Sequence, residues 1–441
     1  MMRRFILSFL LLLPFAASAQ FAASSLRDLD DSEVVSAMKE HVAYLSSAML
    51  EGRKAGSEGE KEAAKYMSDI LSSYGIDLLS DPEGDLFGLR QESGDTLRSR
   101  NVIGFIPGYD PALRDHYIVI GARLDNMGCS DIMVNGEKRQ TVYYGANGNA
   151  SGLAMLAQLA RKLKTNSVLL RRSVIIAAFG SSLDMGAGAW YFLNRSFAGA
   201  DKIDAMINLD MLGTGSSGFY AYTASNRDLD AIITRLSGTL QPVQPKLVSL
   251  EPVNSDHRVF YDRQIPAVFF TTGMYPEYNS DRDTASVLEY DEMERELEYI
   301  YNFTLDLANG ARPEFREKDE RRKKYVKDED VVPYYECDVK PVFLGSPDPS
   351  VFMSKWVYVY LRYPREAVQA GVQGRVLVDF VIDTRGRVTD VKVIKGVSEL
   401  LDAEAVRVIS ASPDWKPARV RGKKVKCEMS LYVDFKLERR K

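Results

Sequence analysis

Four stretches of this chain place polar side chains after apolar runs, where an α/β sheet builds its sites at the carboxyl ends of its strands. They are Arg123 and Asp125 in IVIGARLDNMG, Ser181-Ser182-Leu183-Asp184 after VIIAAF, Asp210 in INLDMLG, and Tyr278-Asn279 in YNSDRDT. A fifth stretch, YYGANGNASGLAMLAQLARKL from Tyr143 to Leu163, opens as a loop and continues as a helix. Gly145, Gly148, Asn147 and Asn149 tolerate turn conformations, and Asn149 or Ser151 can cap the helix. The loop fits neither G-x-G-x-x-G nor G-x-x-x-x-G-K-[ST], so it is not read as a phosphate cradle.

Two hydrolytic chemistries can be weighed on these residues. Gly180-Ser181-Ser182-Leu183-Asp184 approaches the G-x-S-x-G nucleophile turn, and with His257 and an aspartate it would make a serine hydrolase. The second glycine is Asp184, however, and nothing in the sequence sets His257 against Ser182; a serine at a strand-to-helix turn commonly caps the helix. Zinc chemistry needs His, Cys or carboxylate side chains to converge. The chain has three histidines, His41, His116 and His257, and three cysteines, Cys129, Cys337 and Cys427. The cysteines are too few and too scattered for a metal cluster or a disulfide framework. Cys337 and Cys427 could pair in an exported protein or remain buried thiols.

The elements that must position these residues are legible in the hydrophobic pattern. Continuous apolar runs at 102–106, 117–120, 174–179, 205–209 and 267–270 read as strands covered on both faces. Helical stripes at 153–163, 186–193, 229–236 and 289–308 alternate with them, after two earlier helices near 32–46 and 63–71. The expectation is an α/β domain with a central, mostly parallel sheet and helices on both faces. Asn135-Gly136 between β-prone runs predicts a hairpin beside the site. Past the charged stretch ARPEFREKDERRKKYVKDED the pattern changes to a hairpin at 376–394, a helix at 401–410 and a strand at 425–437, a small α+β unit. The expected division is a signal peptide at 1–19, an α/β domain at 20–310, a charged linker at 311–335 and a C-terminal domain at 336–441.

Arg3 and Arg4, the apolar run Phe5 to Ala17 and the small residues Ala17-Ser18-Ala19 read as a secretory signal cleaved after Ala19. No later run is long enough to span a bilayer, so the expectation is an exported protein, periplasmic or extracellular, without a transmembrane segment after cleavage. Net charge is −4, which argues against nucleic-acid binding. The charge is uneven: residues 351–441 hold 19 Lys and Arg against 11 Asp and Glu. A basic module on an acidic body suggests separate partners.

The GANGNASG segment with its Ala/Leu-rich helix resembles the GANDNASG segment of metallopeptidase family twenty-eight, the two-zinc aminopeptidases and glutamate carboxypeptidase relatives. The resemblance spans about Ser32 to Gly310 and implies a zinc-exopeptidase fold. It also implies a ligand set, and that set has degenerated here. The His-x-Asp pair is Arg123 and Asp125, the bridging Asp is Gly148 (followed by Asn149), and the Glu-Glu pair is Ser182 and Leu183. The next ligand is kept as Asp210, and the last, a His, is Asn279. Arg123 is expected to stand between Asp125 and Asp210 and supply the positive charge of the lost metals. The last hundred residues are similar to the TonB C-terminal domain through YPREAVQAGVQGRVLVDFVID, GRVTDVKVIKG, LDAEAVRVI and PDWKPARVRGKKV.

These resemblances imply an exported, non-catalytic zinc-peptidase-fold protein with no cofactor that acts by binding in the cell envelope. A peptide or glycan would occupy the vestigial cleft, and the C-terminal domain would dock an envelope protein, by strand addition along Val425–Leu437. The alternative is an active zinc aminopeptidase with ligands drawn from Asp125, Asp184, Asp210 and Asp256.

Overall fold

The computed structural model describes residues 31–91, 94–134, 137–248, 251, 253–316, 331–334, 337–420 and 422–437. The signal segment 1–19, and 317–330 and 335 within the expected linker, lie outside the described residues.

Helix α1 (Glu33–Leu45) begins where the Ser32 hydroxyl accepts from the Val35 N–H, and it buries Val35, Met38, Val42 and Leu45 at helical spacing. Helix α2 (Glu58–Ser73) starts the same way on Ser57. Strands β1 (Asp77–Leu78), β2 (Asp85–Arg90), β3 (Thr96–Ile106) and β4 (Tyr117–Arg123) follow. Then come β5 (Gly128–Val134) and β6 (Glu137–Tyr143), which pair antiparallel as the expected hairpin. Helix α3 (Ser151–Thr165) crosses to β7 (Ser173–Phe179), and β8 (Ile203–Leu209), β9 (Tyr220–Tyr222), helix α4 (Arg227–Ser237), β10 (Lys246–Val248) and β11 (Ala267–Thr271) complete the sheet. Helix α5 (Tyr290–Asn309) closes the unit, as its long periodic stripe predicts.

The sheet runs β1-β3-β7-β4-β8-β11-β9-β10, with β2 added on β3. Its centre, β7-β4-β8-β11, is parallel; β3 runs antiparallel to β7 on one side, and the parallel pair β9-β10 runs antiparallel to β11 on the other, so the whole is mixed rather than mostly parallel. The burial explains the difference. Every residue of β7, β8 and β11 is buried, as parallel strands sandwiched between helices require. The outer half of β3 alternates towards solvent, which an antiparallel flank permits.

The C-terminal unit has its own core. Strands β12 (Val331–Pro333), β13 (Gly374–Ile382) and β14 (Val388–Lys395), helix α6 (Glu399–Ser410), a small hairpin of β15 (Arg419–Val420) with β16 (Lys423–Lys424), and β17 (Lys426–Phe435) make it up. The sheet order is β12-β17-β13-β14. Leu401, Ala405, Val408 and Ile409 of α6 pack on it, with the rings of Phe343, Phe352 and Trp415 meeting edge-on or tilted at 4.8–5.0 Å between centres. Cys337 and Cys427 are both buried in this core and are not joined by a disulfide.

The two units touch. Arg375 Nη2 lies 2.5 Å from Glu277 Oε1, and its guanidinium stacks 4.1 Å from the Tyr432 ring centre. Glu289 accepts from the Tyr432 hydroxyl at 3.1 Å and from Lys395 Nζ at 2.9 Å.

Candidate functional site

The carboxyl ends of β4, β7 and β8 and the loop before α3 bring most of the expected residues together. Arg123 is the last residue of β4, and its Nη2 donates to Asp210 Oδ1 at 3.1 Å, just beyond β8. Asp210 Oδ2 accepts from the Ser255 hydroxyl at 2.9 Å. Burial opposes the charge on Arg123, but the carboxylates of Asp210 and Asp125 offset it, and the guanidinium is held firmly protonated.

Asp125 departs from the expected arrangement. Its carboxylate does not turn to Arg123; it accepts from the backbone N–H of Ser182 at 2.7 Å and of Leu183 at 3.2 Å. Arg123 reaches only the Asp125 carbonyl, at 3.5 Å. The physical reason is local: after β7 the chain turns sharply at Ser181 (φ 51°), leaving two adjacent N–H groups aimed at one acceptor. Burial pushes the Asp125 carboxyl up to about 6, against the opposing pull of Arg123 and of the two amides.

The same device recurs across the centre. Asp283 accepts from the N–H of Asn147 (2.7 Å) and Gly148 (3.0 Å) and from the Tyr275 hydroxyl (2.7 Å). Asn149 donates to the Leu209 carbonyl at 2.9 Å, and its amide oxygen accepts from Gly152 and Met211, each at 3.1 Å. Asn149 is therefore a brace between the loop, α3 and the end of β8. At Gly148 an added Cβ would stand 3.1 Å from the Tyr275 hydroxyl and 3.4 Å from Arg123 Nη2, so the guanidinium fills the space in front of this residue.

The centre is closed. Arg123, Asp125, Gly148, Asn149, Ser182 and Asp210 are all buried, while Leu183 and Asn279 face solvent. The expected vestigial cleft is thus a packed polar core. An open cavity of about 500 Å³ lies to its side, lined by Tyr275, Tyr278 and Asn279 and by residues of the C-terminal unit.

Ser182 does not have the partner that a serine hydrolase needs. Its hydroxyl contacts Asp256 Oδ2 at 2.8 Å and the Phe179 carbonyl at 3.2 Å. His257 bonds through Nε2 to Glu251 at 2.6 Å and stacks on Phe269, His41 sits among Tyr66, Tyr74 and Gln158, and His116 pairs with Asp204. Burial pushes Asp256 up to about 8, so this carboxyl is neutral at physiological pH, and Ser182 only partly opposes the shift.

Zinc does not fit these residues. The four carboxyls of the alternative ligand set are committed elsewhere: Asp125 to two amides, Asp210 to Arg123 and Ser255, Asp256 to Ser182, and Asp184 to the Ser181 hydroxyl. Among the described residues no group of three or more His, Cys, Asp or Glu side chains converges to hold a metal.

Sequence reasoning missed Arg53. Fully buried, it donates to the carbonyls of Leu124 (3.2 Å), Leu45, Tyr144 (3.0 Å) and Gly145 (3.0 Å), tying the segment before α2 to the floor of the centre. Burial lowers its pKa to about 10. The only signal was its place in a Gly-Arg pair with glycines following.

Comparison with known proteins agrees with this architecture. Residues 101–304 match the model of peptidase family M28, and residues 359–437 match that of the Gram-negative bacterial TonB protein C-terminal domain. The chain joins a peptidase family M28 domain to a TonB C-terminal domain. Over 106 residues it is 31% identical to protein TonB of Pseudomonas aeruginosa, covering 24% of this chain and 27% of that protein, so it spans about a quarter of the length of this curated relative. Among solved structures it is similar to LapB from Legionella pneumophila (TM-score 0.51, 16% identity, 67% of this chain and 77% of that one). It is also similar to an aminopeptidase from Aneurinibacillus sp. strain AM-1 (TM-score 0.48, 16% identity, 64% and 96%). At such identity the likeness is one of fold, and function must be argued from the site. The TonB similarity fits the cell envelope, and among the described residues no helix is long and apolar enough to cross a membrane.

Proposed function

We propose that this chain is an exported binding protein of the cell envelope whose family M28 domain holds no catalytic zinc and hydrolyses no peptide. Its TonB-like domain docks an envelope partner, adding an extended segment to the edge of β17. The single observation that carries the reading is the buried Arg123–Asp210 pair. A guanidinium and a zinc ion cannot both occupy the space in front of the one retained ligand, and a cation there repels a metal. The carboxylate-to-amide bonds of Asp125 and Asp283 support it, because they hold loops together with no role for a metal. The N-terminal segment 1–19 supports export.

The test is metal analysis of the purified protein, with a melting curve in chelator and an assay on aminoacyl p-nitroanilide substrates. The expected result is zinc far below one per chain, no change of Tm in chelator, and no turnover. Stoichiometric zinc with measurable hydrolysis would establish the active exopeptidase instead.

A further inference from the structure

We propose that Cys337 and Cys427 form a disulfide when this chain folds in an oxidising compartment, a covalent staple from the segment that enters the C-terminal unit to its last strand. The proposal rests on the export reading above for its compartment, and on the C-terminal core alone for its geometry.

The two cysteines are far apart in the chain and meet in one core. Cys427 is the second residue of β17 and points inward with Met429, Leu431, Val433 and Phe435, the alternate residues of the same face. Cys337 follows β12, and its N–H donates to the Tyr334 carbonyl at 3.3 Å; Lys340 Nζ donates to the same oxygen at 2.9 Å. This holds Cys337, 3% exposed, beside the wholly buried Cys427. The two thiols are hydrogen-bonded to each other. Two cysteines can be bridged without moving the backbone only where their Cβ vectors converge, and a thiol–thiol hydrogen bond is such a convergence.

Two other tasks for the pair fail. No group of three or more His, Cys, Asp or Glu side chains converges among the described residues, so no metal site is built on these sulfurs. The hydrogen bond to Cys337 and burial hold the Cys427 thiol far above its ordinary range, so it is no nucleophile in the folded chain.

Burial also decides when the bond forms. Closed in the core, neither sulfur meets an oxidant, so exchange takes place while the chain is folding. One cysteine thiolate attacks an external disulfide, such as oxidised glutathione, and expels one thiol. The other cysteine thiolate then attacks this mixed disulfide and expels the second thiol. Both cysteines are oxidised, the external disulfide is reduced to two thiols, and the cysteine protons end on those thiols. The staple closes a loop of about 90 residues containing β13, β14 and α6, which removes entropy from the unfolded chain. It also fastens β12, which pairs with β17 through Val331, Val332 and Pro333 alone.

The test refolds the full chain in reduced and oxidised glutathione, then denatures it and adds iodoacetamide. The expected mass carries one carbamidomethyl group, on Cys129, of the three that the cysteines could take. A non-reducing tryptic digest should hold a peptide pair linked through Cys337 and Cys427. Three groups per chain, or a bond that involves Cys129, overturns the proposal, and this measurement needs no variant. Reductant should lower the melting temperature of the C-terminal transition by about 10 °C in the oxidised protein, and leave that of the Cys337→Ala, Cys427→Ala double variant unchanged. A fall of equal size in the double variant overturns the staple. The chain is also expressed with its own N-terminal segment in a Gram-negative host. Recovery from that host with all thiols reduced, while the glutathione-refolded chain carries the bond, sinks the export reading and leaves the staple standing.

Discussion

Arg123 at the end of β4 and Asp210 beyond β8 meet at 3.1 Å with both side chains almost wholly buried. The ion pair joins two adjacent parallel strands at the carboxyl end of the central sheet. Arg123→Leu leaves Asp210 without its counter-charge and should cost about 3–5 kcal/mol, the range for one-sided loss of a buried pair. Combined with Asp210→Asn, the loss should fall short of the sum of the two single losses, as coupled residues require. Denaturant melts of the four proteins measure it; additive losses would show that the pair contributes no coupling. Arg123→His alone should restore neither zinc binding nor turnover, since Gly148, Ser182, Leu183 and Asn279 still offer no ligands.

Arg53 serves four carbonyl oxygens with a planar fork of donors. Lysine carries its donors on one nitrogen and cannot reach carbonyls spread around the guanidinium plane. Arg53→Lys should therefore destabilise by at least about 2 kcal/mol, because buried carbonyls lose their partners. A urea midpoint equal to that of the unmodified protein would refute this role.

The pH dependence follows from Asp256. Its carboxyl is raised by burial from 3.8 to about 8 in the folded chain and has its ordinary value when unfolded. Between those values the folded state binds the extra proton, so this group's contribution is complete below about 4 and is lost as pH rises through 8. Asp125, raised to about 6, and Glu60, raised to about 7, act in the same direction. Tm should fall between pH 5 and 8.5, and Asp256→Asn should make the fall shallower. An unchanged slope in that variant would remove Asp256 from the account.

The charged stretch 311–330 offers trypsin many Lys and Arg sites, and cleavage there should yield two fragments. The contacts of Glu277 with Arg375, and of Glu289 with Lys395 and Tyr432, predict that the nicked halves stay associated. Of the two ion pairs the Lys395–Glu289 one is exposed at its lysine, so roughly 1 M salt should weaken the association through it. Size-exclusion chromatography of the nicked protein at low and high salt reads this directly, and separation at low salt would show that the docking is too weak to matter.

The strands β4, β7, β8 and β11, the helices α3 and α5 and the C-terminal hairpin were all legible in the sequence, because unbroken apolar runs and 3.6-residue stripes are local consequences of burial. The expectation that Arg123, Gly148 and Leu183 stand where the family resemblance implies ligands was read from residue identity alone, since these side chains donate no electron pair to a metal. What the chain could not reveal locally was where each surviving carboxylate would turn. Asp125 was expected at Arg123, but it bonds two amides of a turn that lies 57 residues later in the chain. Asp283, to which the YNSDRDT stretch by itself assigns no role, holds the loop at Asn147 and Gly148 from 136 residues away. The buried Arg53 and the cavity between the two units likewise depend on segments that meet only in three dimensions. Periodicity records whether a residue is covered, which its own neighbours along the chain determine. The partner of a buried polar group is set by which distant backbone donors remain unsatisfied once the strands have packed, and only the tertiary structure decides that.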